Sequence, residues 1–385
     1  MNATMDTAYD TFHDDLDVKN EINHMKNLLD EKQIINCSKA DILALLLSQG
    51  EEQKLLFDKA KEVKERTIGN VVHFRGLIEY SNRCGKSCYY CGIRSGNREI
   101  NRYTITDEEV ILVAKQIMEY GYGSMAIQSG ECNNRVFTKH ITKLIKEIKR
   151  ISQNRIGITL SCGEQREEVY REWLEAGAHR YLLRIETSNP QLYAKLHPSN
   201  RKHDYQTRIN CLESLRKLGY QVGTGVMVGL PFQNREHLAE DILFFMDQDI
   251  DMIGMGPYIE HIQTPLFAYK DDLLPLWERF EITLKMIAIT RILMENVNMV
   301  ASTAMQAIDP TGREKAILSG ANILMPNLTP QRYRDDYLLY QNKPGVTDDS
   351  ERSHNALVKS VLNINHSIGY DHWGDSAHFH KRVGR

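Results

Sequence analysis

Residues Val72–Gly92 read VHFRGLIEYSNRCGKSCYYCG. The first half, Val72–Tyr80, is apolar and β-prone; the second places thiols at Cys84, Cys88 and Cys91, separated by three and then two residues. A strand that runs straight into a ligand-bearing loop is the arrangement of a barrel whose chemistry gathers at the C-terminal ends of its strands. Thiolates at this spacing bind iron–sulfur clusters or zinc, and both centres otherwise take four protein ligands. Three cysteines leave one metal position open. The next Cys or His after Cys91 is Cys132, so no nearby residue completes a compact zinc site.

From Val71 onward, short β-prone runs alternate with longer amphipathic ones, the pattern of repeated βα units. Strands are expected at Val72–Tyr80, Ser124–Gln128, Gly157–Ser161, Arg180–Ile185, Gln221–Val228, Met252–Met255, Met299–Thr303 and Ala321–Met325. Helices are expected at Asp107–Tyr120, Thr138–Ile151, Arg166–Ala176, Tyr205–Leu218, Arg235–Asp247 and Leu276–Glu295. Eight such repeats close into an α/β fold of the (β/α)8 TIM-barrel type. The alternative is a six-unit open barrel with a separate C-terminal lobe. Residues 1–70 are expected to form an N-terminal helical extension, with Ser38 as an N-cap, Ala40–Ser48 as a helix body and Gly50 as its stop. Residues 71–328 then form the barrel, and 329–385 form a C-terminal extension packing on it.

The 385 residues suit one barrel with extensions. Charged residues make up 26 % with a net charge of −3, and no Lys/Arg run offers a track for a nucleic-acid backbone. Seven cysteines, an odd number spread along the chain, make a poor disulfide framework and fit a reducing compartment. Met1–Asp15 holds four Asp and no Arg or apolar run, unlike a signal or transit peptide. With no apolar stretch near the roughly 20 residues that span a bilayer, the expectation is a cytoplasmic protein without membrane or nucleic-acid partners.

Cys84-x3-Cys88-x2-Cys91, with Tyr90 before the last Cys, resembles the signature of the radical S-adenosylmethionine (SAM) superfamily. Phe74–Glu79, Gly92–Arg94, Gln128–Glu131, Arg180–Thr187, Met227–Pro231, Gly256-Pro257, Thr303–Met305, Gly320–Asn322, Met325–Asn327 and Asp371–Gly374 are similar to the HydE-type maturases of FeFe-hydrogenase. The resemblance implies one 4Fe-4S cluster held by Cys84, Cys88 and Cys91, with SAM chelating the fourth iron. Reductive cleavage of SAM would then give a 5′-deoxyadenosyl radical. It further implies a cofactor-binding set of Tyr90, Ser129, Glu131, Ser161, Glu186, Arg208 and Met227. Arg180, Thr159 and Thr303 would face an anionic substrate, with Tyr337 and Tyr340 closing the cavity. The implied substrate is a cysteine-bound iron complex carrying carbon monoxide and cyanide. Implied partners are an external electron donor, a HydG-type radical SAM enzyme and a HydF-type GTPase scaffold.

Simpler readings stand beside these. Any one strand-end charge could be a surface salt bridge, and Arg180 with Arg184 could form an internal ion pair with Glu186. Cys132 and Cys162 receive no role, and no cysteine after Cys211 could hold a C-terminal second cluster. His372, His378 and His380 read as a solvated tail, and Gly223, Gly225 and Gly229 as a close approach of backbone to adenosine. The competing functions are another radical SAM reaction of the biotin synthase or methylornithine synthase type, and a non-enzymatic metal-binding protein.

Overall fold

The computed structural model describes residues 22–30, 37–347 and 350–384; Met1–Asp15 lies outside them. Strands β1 (Val71–Ser81), β2 (Ser124–Ser129), β3 (Gly157–Ser161), β4 (Ala178–Leu182), β5 (Gln221–Val228), β6 (Met252–Pro257), β7 (Asn298–Ala301) and β8 (Ile323–Leu324) pair in parallel. β1 pairs with both β2 and β8, so the sheet closes. This excludes the six-unit open barrel. A short β9 (Ser367–Ile368), not expected from the sequence, pairs in parallel with Val71 and Val72 at the start of β1.

β4 and β8 depart from their expected bounds for visible reasons. β4 starts at Ala178 and stops at Leu182 because the Thr224 hydroxyl enters the ladder beyond it. That hydroxyl donates to the Leu183 carbonyl at 2.8 Å and accepts from the Ile185 N–H at 3.1 Å. β8 is confined to Ile323–Leu324, and beside it the Asn322 side chain accepts from the Met299 N–H at 2.9 Å.

The outer helices follow their apolar spacing. Arg135–Ile151 buries Ile141, Leu144, Ile145 and Ile148, a 3–4 repeat that lays one stripe on the barrel. Leu276–Leu293 is buried on nearly every face, because Lys39–Leu47 and Gly50–Thr67 pack over it. Ser38 caps Lys39–Leu47 through a capping box with Asp41. Gly50, expected as a stop, instead opens Gly50–Thr67 with φ +50°.

The lower end of the barrel is closed by the C-terminal segment. Arg180 is fully buried, and each of its nitrogens has a protein partner. Nε donates to Thr159 Oγ1 at 2.9 Å, one terminal nitrogen to Ser124 Oγ at 2.6 Å, and the other to the Trp373 carbonyl at 3.0 Å and to Asp375. Arg75 donates to the Gly374 carbonyl at 2.9 Å, as does the Asn298 amide. The expected internal ion pair forms between Arg184 and Glu186, whereas Arg180 takes Asp375, 195 residues away, because Glu186 lies at the opposite end of the strands. The tail is only partly solvated, with His372 exposed. Ser376 is buried, and His378 binds Asp249 at 2.6 Å.

Replacing Asp375 with Asn leaves Arg180 an unmatched buried cation and should lower unfolding free energy by about 3 kcal/mol in chemical denaturation. Burial and the neighbouring arginines, Arg75 for His73 and Arg180 for His179, hold both imidazoles down to about 4. An unfolded imidazole titrates near 6.5, so between about 6.5 and 4 the unfolded chain takes up protons that the folded one refuses. The contribution of these two histidines to stability should therefore fall as pH drops through that window. A His73→Asn/His179→Asn variant should show a flatter profile in the same measurement.

Candidate metal centre

The cysteine loop follows β1 and has little regular structure, so its shape depends on hydrogen bonds from elsewhere. Gly85 N–H donates to the Glu131 carbonyl at 2.7 Å, and Glu131 N–H donates to Cys84 Sγ at 3.3 Å. Ser87 N–H donates to His203 Nε2 at 2.8 Å, and Tyr89 N–H to the Leu196 carbonyl at 2.9 Å. The Arg102 guanidinium binds the carbonyls of Asn82, Ile93, Arg94 and Asn97 at 2.6–2.8 Å. Gly130 must be glycine, since a Cβ there would sit 2.5 Å from the Arg83 carbonyl oxygen and 2.9 Å from Cys84 Cβ.

The three thiols are half-buried and within electrostatic reach of one another. Burial pushes Cys88 up to about 12, and Cys84 and Cys91 above the ordinary thiol value. A bound cation would offset the desolvation that disfavours their thiolates. Among the described residues no three His, Cys, Asp or Glu side chains gather closely enough for a single ion. A four-iron cluster takes its ligands at wider corners, and a backbone N–H already aimed at Cys84 Sγ is a usual feature of such sites. The donor set fits a cluster with one iron unligated by protein.

Beneath the loop lies a closed ring of four charges. Lys86 Nζ is 2.7 Å from Glu164 and 3.1 Å from Glu131; Arg208 is 2.6 Å from Glu164 and 3.6 Å from Glu131. All four side chains are at most 12 % exposed, so they attract each other with little solvent screening. Arg208 also donates to the Arg184 carbonyl at 2.9 Å. The ring ties the loop between the cysteines to the ends of β2 and β3 and to helix Tyr205–Leu218.

Glu186 has φ +66°, rare for a residue with a side chain. Its N–H donates to the Gly225 carbonyl at 2.9 Å, its carbonyl accepts from Met227 N–H at 3.2 Å, and its carboxylate is forked by Arg184 at 2.9–3.1 Å. Gly225 and Gly254 leave room for that guanidinium, since a Cβ on either would lie 3.1 Å from it. The glycine spacing on β5 thus admits Arg184 and the neighbouring backbone of β6. Ser161 ends β3 opposite Gln128, and buried Ser129 donates to the Gly130 carbonyl at 2.9 Å. Tyr90 meets His197 at 3.3 Å and, with Met227, packs against Leu192, Leu196, Leu230, Tyr258 and Leu266.

Above the strand ends, Tyr337 is buried and its hydroxyl accepts from Gln128 at 3.4 Å. Lys343 reaches down to buried Glu79 and donates to the Tyr337 carbonyl at 3.0 Å; Tyr340 lies between them in sequence, half-buried. Gly92 N–H donates to the Leu339 carbonyl at 3.1 Å, so this segment rests on the cysteine loop. Thr303 opens helix Thr303–Ile308 after β7, at the upper end. Arg180 and Thr159 meet each other, but lower in the barrel and away from Thr303, with Arg180 occupied by the floor contacts.

Lys86, Glu164, Glu79 and Lys343 were not expected from the sequence. Glu164 had a usable signal, since it lies three residues beyond β3 at a catalytic strand end. Lys343 had none, because its partner is 264 residues away.

A closed parallel barrel with three convergent thiols on its first upper loop defines a radical SAM enzyme, and the sequence profile of the Radical SAM superfamily matches residues 78–245. The [FeFe] hydrogenase maturase subunit HydE of Thermotoga maritima is 41 % identical over 331 residues, spanning 86 % of this chain and 91 % of that one. The chain belongs to the HydE family within that superfamily. 3-Methylornithine synthase of Methanosarcina acetivorans is 27 % identical over 74 % of this chain and 77 % of its own. The fold is shared with the crystal structure of methylornithine synthase, with a TM-score of 0.74 at 22 % identity over 88 % of this chain and 97 % of that one. It is also shared with the maturase HydG of Carboxydothermus hydrogenoformans, with a TM-score of 0.75 at 19 % identity over 91 % and 80 %. Among the described residues no helix is long and apolar enough to cross a membrane.

Gly130→Ala should leave the circular dichroism of the barrel intact while lowering iron and sulfide incorporation on anaerobic reconstitution. The added methyl meets backbone and the cluster loop, which cannot yield as a side chain can.

Proposed function

We propose that this chain is a radical SAM maturase that acts in building the diiron subcluster of FeFe-hydrogenase. Its substrate would be a small cysteine-bound iron complex bearing carbon monoxide and cyanide. The observation that carries this reading is the 41 % identity to HydE across 86 % of the chain, joined to the open three-thiol loop over the barrel mouth. The looser similarity to methylornithine synthase supports a common barrel more than a common substrate.

Cys84, Cys88 and Cys91 would hold one 4Fe-4S cluster, which when bound and reduced supplies the electron that cleaves SAM to a 5′-deoxyadenosyl radical. The chain's own residues would then position and enclose. The planar donor fork of Arg208 suits the methionine carboxylate, with Glu164 fixing its orientation. Glu186, held in its strained backbone by β5, would accept from ribose hydroxyls or the amino group, with Ser161 and Ser129 beside it. Tyr90 and Met227 sit in an apolar cluster that would exclude water from adenine and from a reactive carbon radical. Thr303, Tyr337 and Tyr340 lie on the upper side, where a substrate would face the cofactor. Arg180 and Thr159 would act one level below, with Arg180 closing the floor.

The seven thiols are all unpaired, which supports work in the cytoplasm. A HydG-type enzyme would supply the iron complex, and a HydF-type scaffold would receive the product.

Cys88→Ala should abolish SAM cleavage and the reduced-cluster electron paramagnetic resonance signal after anaerobic reconstitution, and Cys211→Ala should keep both. Arg208→Lys keeps the charge but loses the fork, so KM for SAM should rise roughly tenfold with the SAM-free cluster signal unchanged. Stoichiometric zinc with no effect of SAM would contradict the reading.

A further inference from the structure

The chain leaves β4 at Leu182 and reaches the helix Pro190–Leu196 through a turn that contains Glu186 at φ +66°. Two residues on, Ser188 is gripped by helix Arg235–Asp247. Its N–H and its hydroxyl both donate to one carboxylate oxygen of Asp241, at 2.6 and 2.7 Å, and its carbonyl accepts from the Tyr205 hydroxyl at 2.6 Å. Asn189 caps the next helix by accepting from Leu192 N–H at 2.9 Å, and its amide donates to Glu240 at 3.1 Å. Glu240 is in turn paired with Lys39 at 2.6 Å. Helix Arg235–Asp247 therefore presents two neighbouring carboxylates to this turn.

Asp241 stands apart from the paired carboxylates of the barrel. It is fully buried, and the charged groups that act on it, Glu240 and Glu186, are both acids. Its second oxygen has no hydrogen-bond partner among the described residues. Burial foremost, and then those two carboxylates, push the Asp241 carboxyl up to about 7 against the pull of the Ser188 bonds. A buried acid without a matching cation is costly, and the hydrogen bonds that offset the cost both come from Ser188. An apolar side chain of similar volume would avoid that cost, so what the acid adds is its hold on the turn.

We propose that Asp241 is a positioning residue for SAM, acting through Ser188 on the backbone of Glu186. The inference rests on the radical SAM reading, in which Glu186 accepts from the ribose hydroxyls or the amino group. Arg184 forks the far end of the Glu186 side chain at 2.9–3.1 Å, and Gly225 and Met227 of β5 take its N–H and carbonyl. Those contacts fix the entry to the turn; Asp241 fixes its exit. With the exit released, a residue that bears a side chain relaxes out of the left-handed region, and the carboxylate moves with it. Asp241 acts at one remove, since both donors it meets belong to Ser188.

The test uses the reconstituted holoenzyme with dithionite as reductant, and reads 5′-deoxyadenosine release as SAM is varied. Asp241→Ala removes two hydrogen bonds to a charged acceptor and should raise KM for SAM roughly tenfold, with kcat at saturating SAM within about twofold of the parent. The SAM-free cluster signal should be unchanged. Asp241→Asn keeps an acceptor oxygen and should hold KM within about threefold of the parent. Ser188→Ala deletes one donor and leaves Asp241 in place; it should raise KM about threefold, and it tests the proposal where Asp241→Ala folds poorly. In a Glu186→Ala background, Asp241→Ala should add less than about twofold, because the group it positions is gone. The proposal is overturned by an unchanged KM in Ser188→Ala, or by an Asn variant as impaired as the Ala one. A fall in kcat at constant KM overturns it too, as does the full effect of Asp241→Ala persisting without Glu186. Glu186→Ala with the parent's KM overturns the assignment of Glu186 to SAM, and a parent that releases no 5′-deoxyadenosine overturns the radical SAM reading instead.

Discussion

A charge inside a closed barrel has no water to fall back on, and most of the buried cations described above are matched by a carboxylate from a different part of the chain or the next turn of it, Arg75 by the Gly374 carbonyl instead. Arg180 takes Asp375, Lys86 and Arg208 share Glu131 and Glu164, Arg184 takes Glu186, and Lys343 takes Glu79. Such pairs add little net stability when formed, because desolvation consumes most of the Coulombic gain, but losing one partner is costly. Their effect here is to specify arrangement. One pair sets the lower closure, one the upper closure, and the four-charge ring sets the loop that bears the thiols.

This explains why the site is rigid without being regular. The cysteine loop has no ladder of its own, and its backbone is satisfied by Arg102, Glu131, Leu196 and His203 from four separate segments. A metal arriving there would meet ligands already ordered, so less of its binding energy would be spent on ordering the chain.

The barrel was legible because short apolar β-prone runs and amphipathic helical spacing are local, and the eight strands and six helices expected from them all overlap the observed elements. The three thiols were legible because their spacing is local too. What escaped was anything decided by side chains meeting across the barrel. Arg180 was readable as an inward guanidinium, but its carboxylate lies 195 residues downstream, so it was placed toward a substrate. Glu131 and Arg208 were found through family resemblance, while Lys86 and Glu164, which complete their ring, were hidden as an ordinary loop lysine and an ordinary acid. The histidine-rich tail read as solvated because nothing local shows that Asp249 waits for His378.

The lower closure also has a consequence for synthesis. Asp375 follows Arg180 by 195 residues, and at roughly 5–20 residues per second a ribosome needs about 10–40 s to produce one after the other. Throughout that interval β4 exists without the anion that its buried arginine requires. The barrel's early strands can therefore collapse but not settle until the segment around Asp375 has been translated. The cysteine loop is thus made long before the anion that locks the floor beneath it.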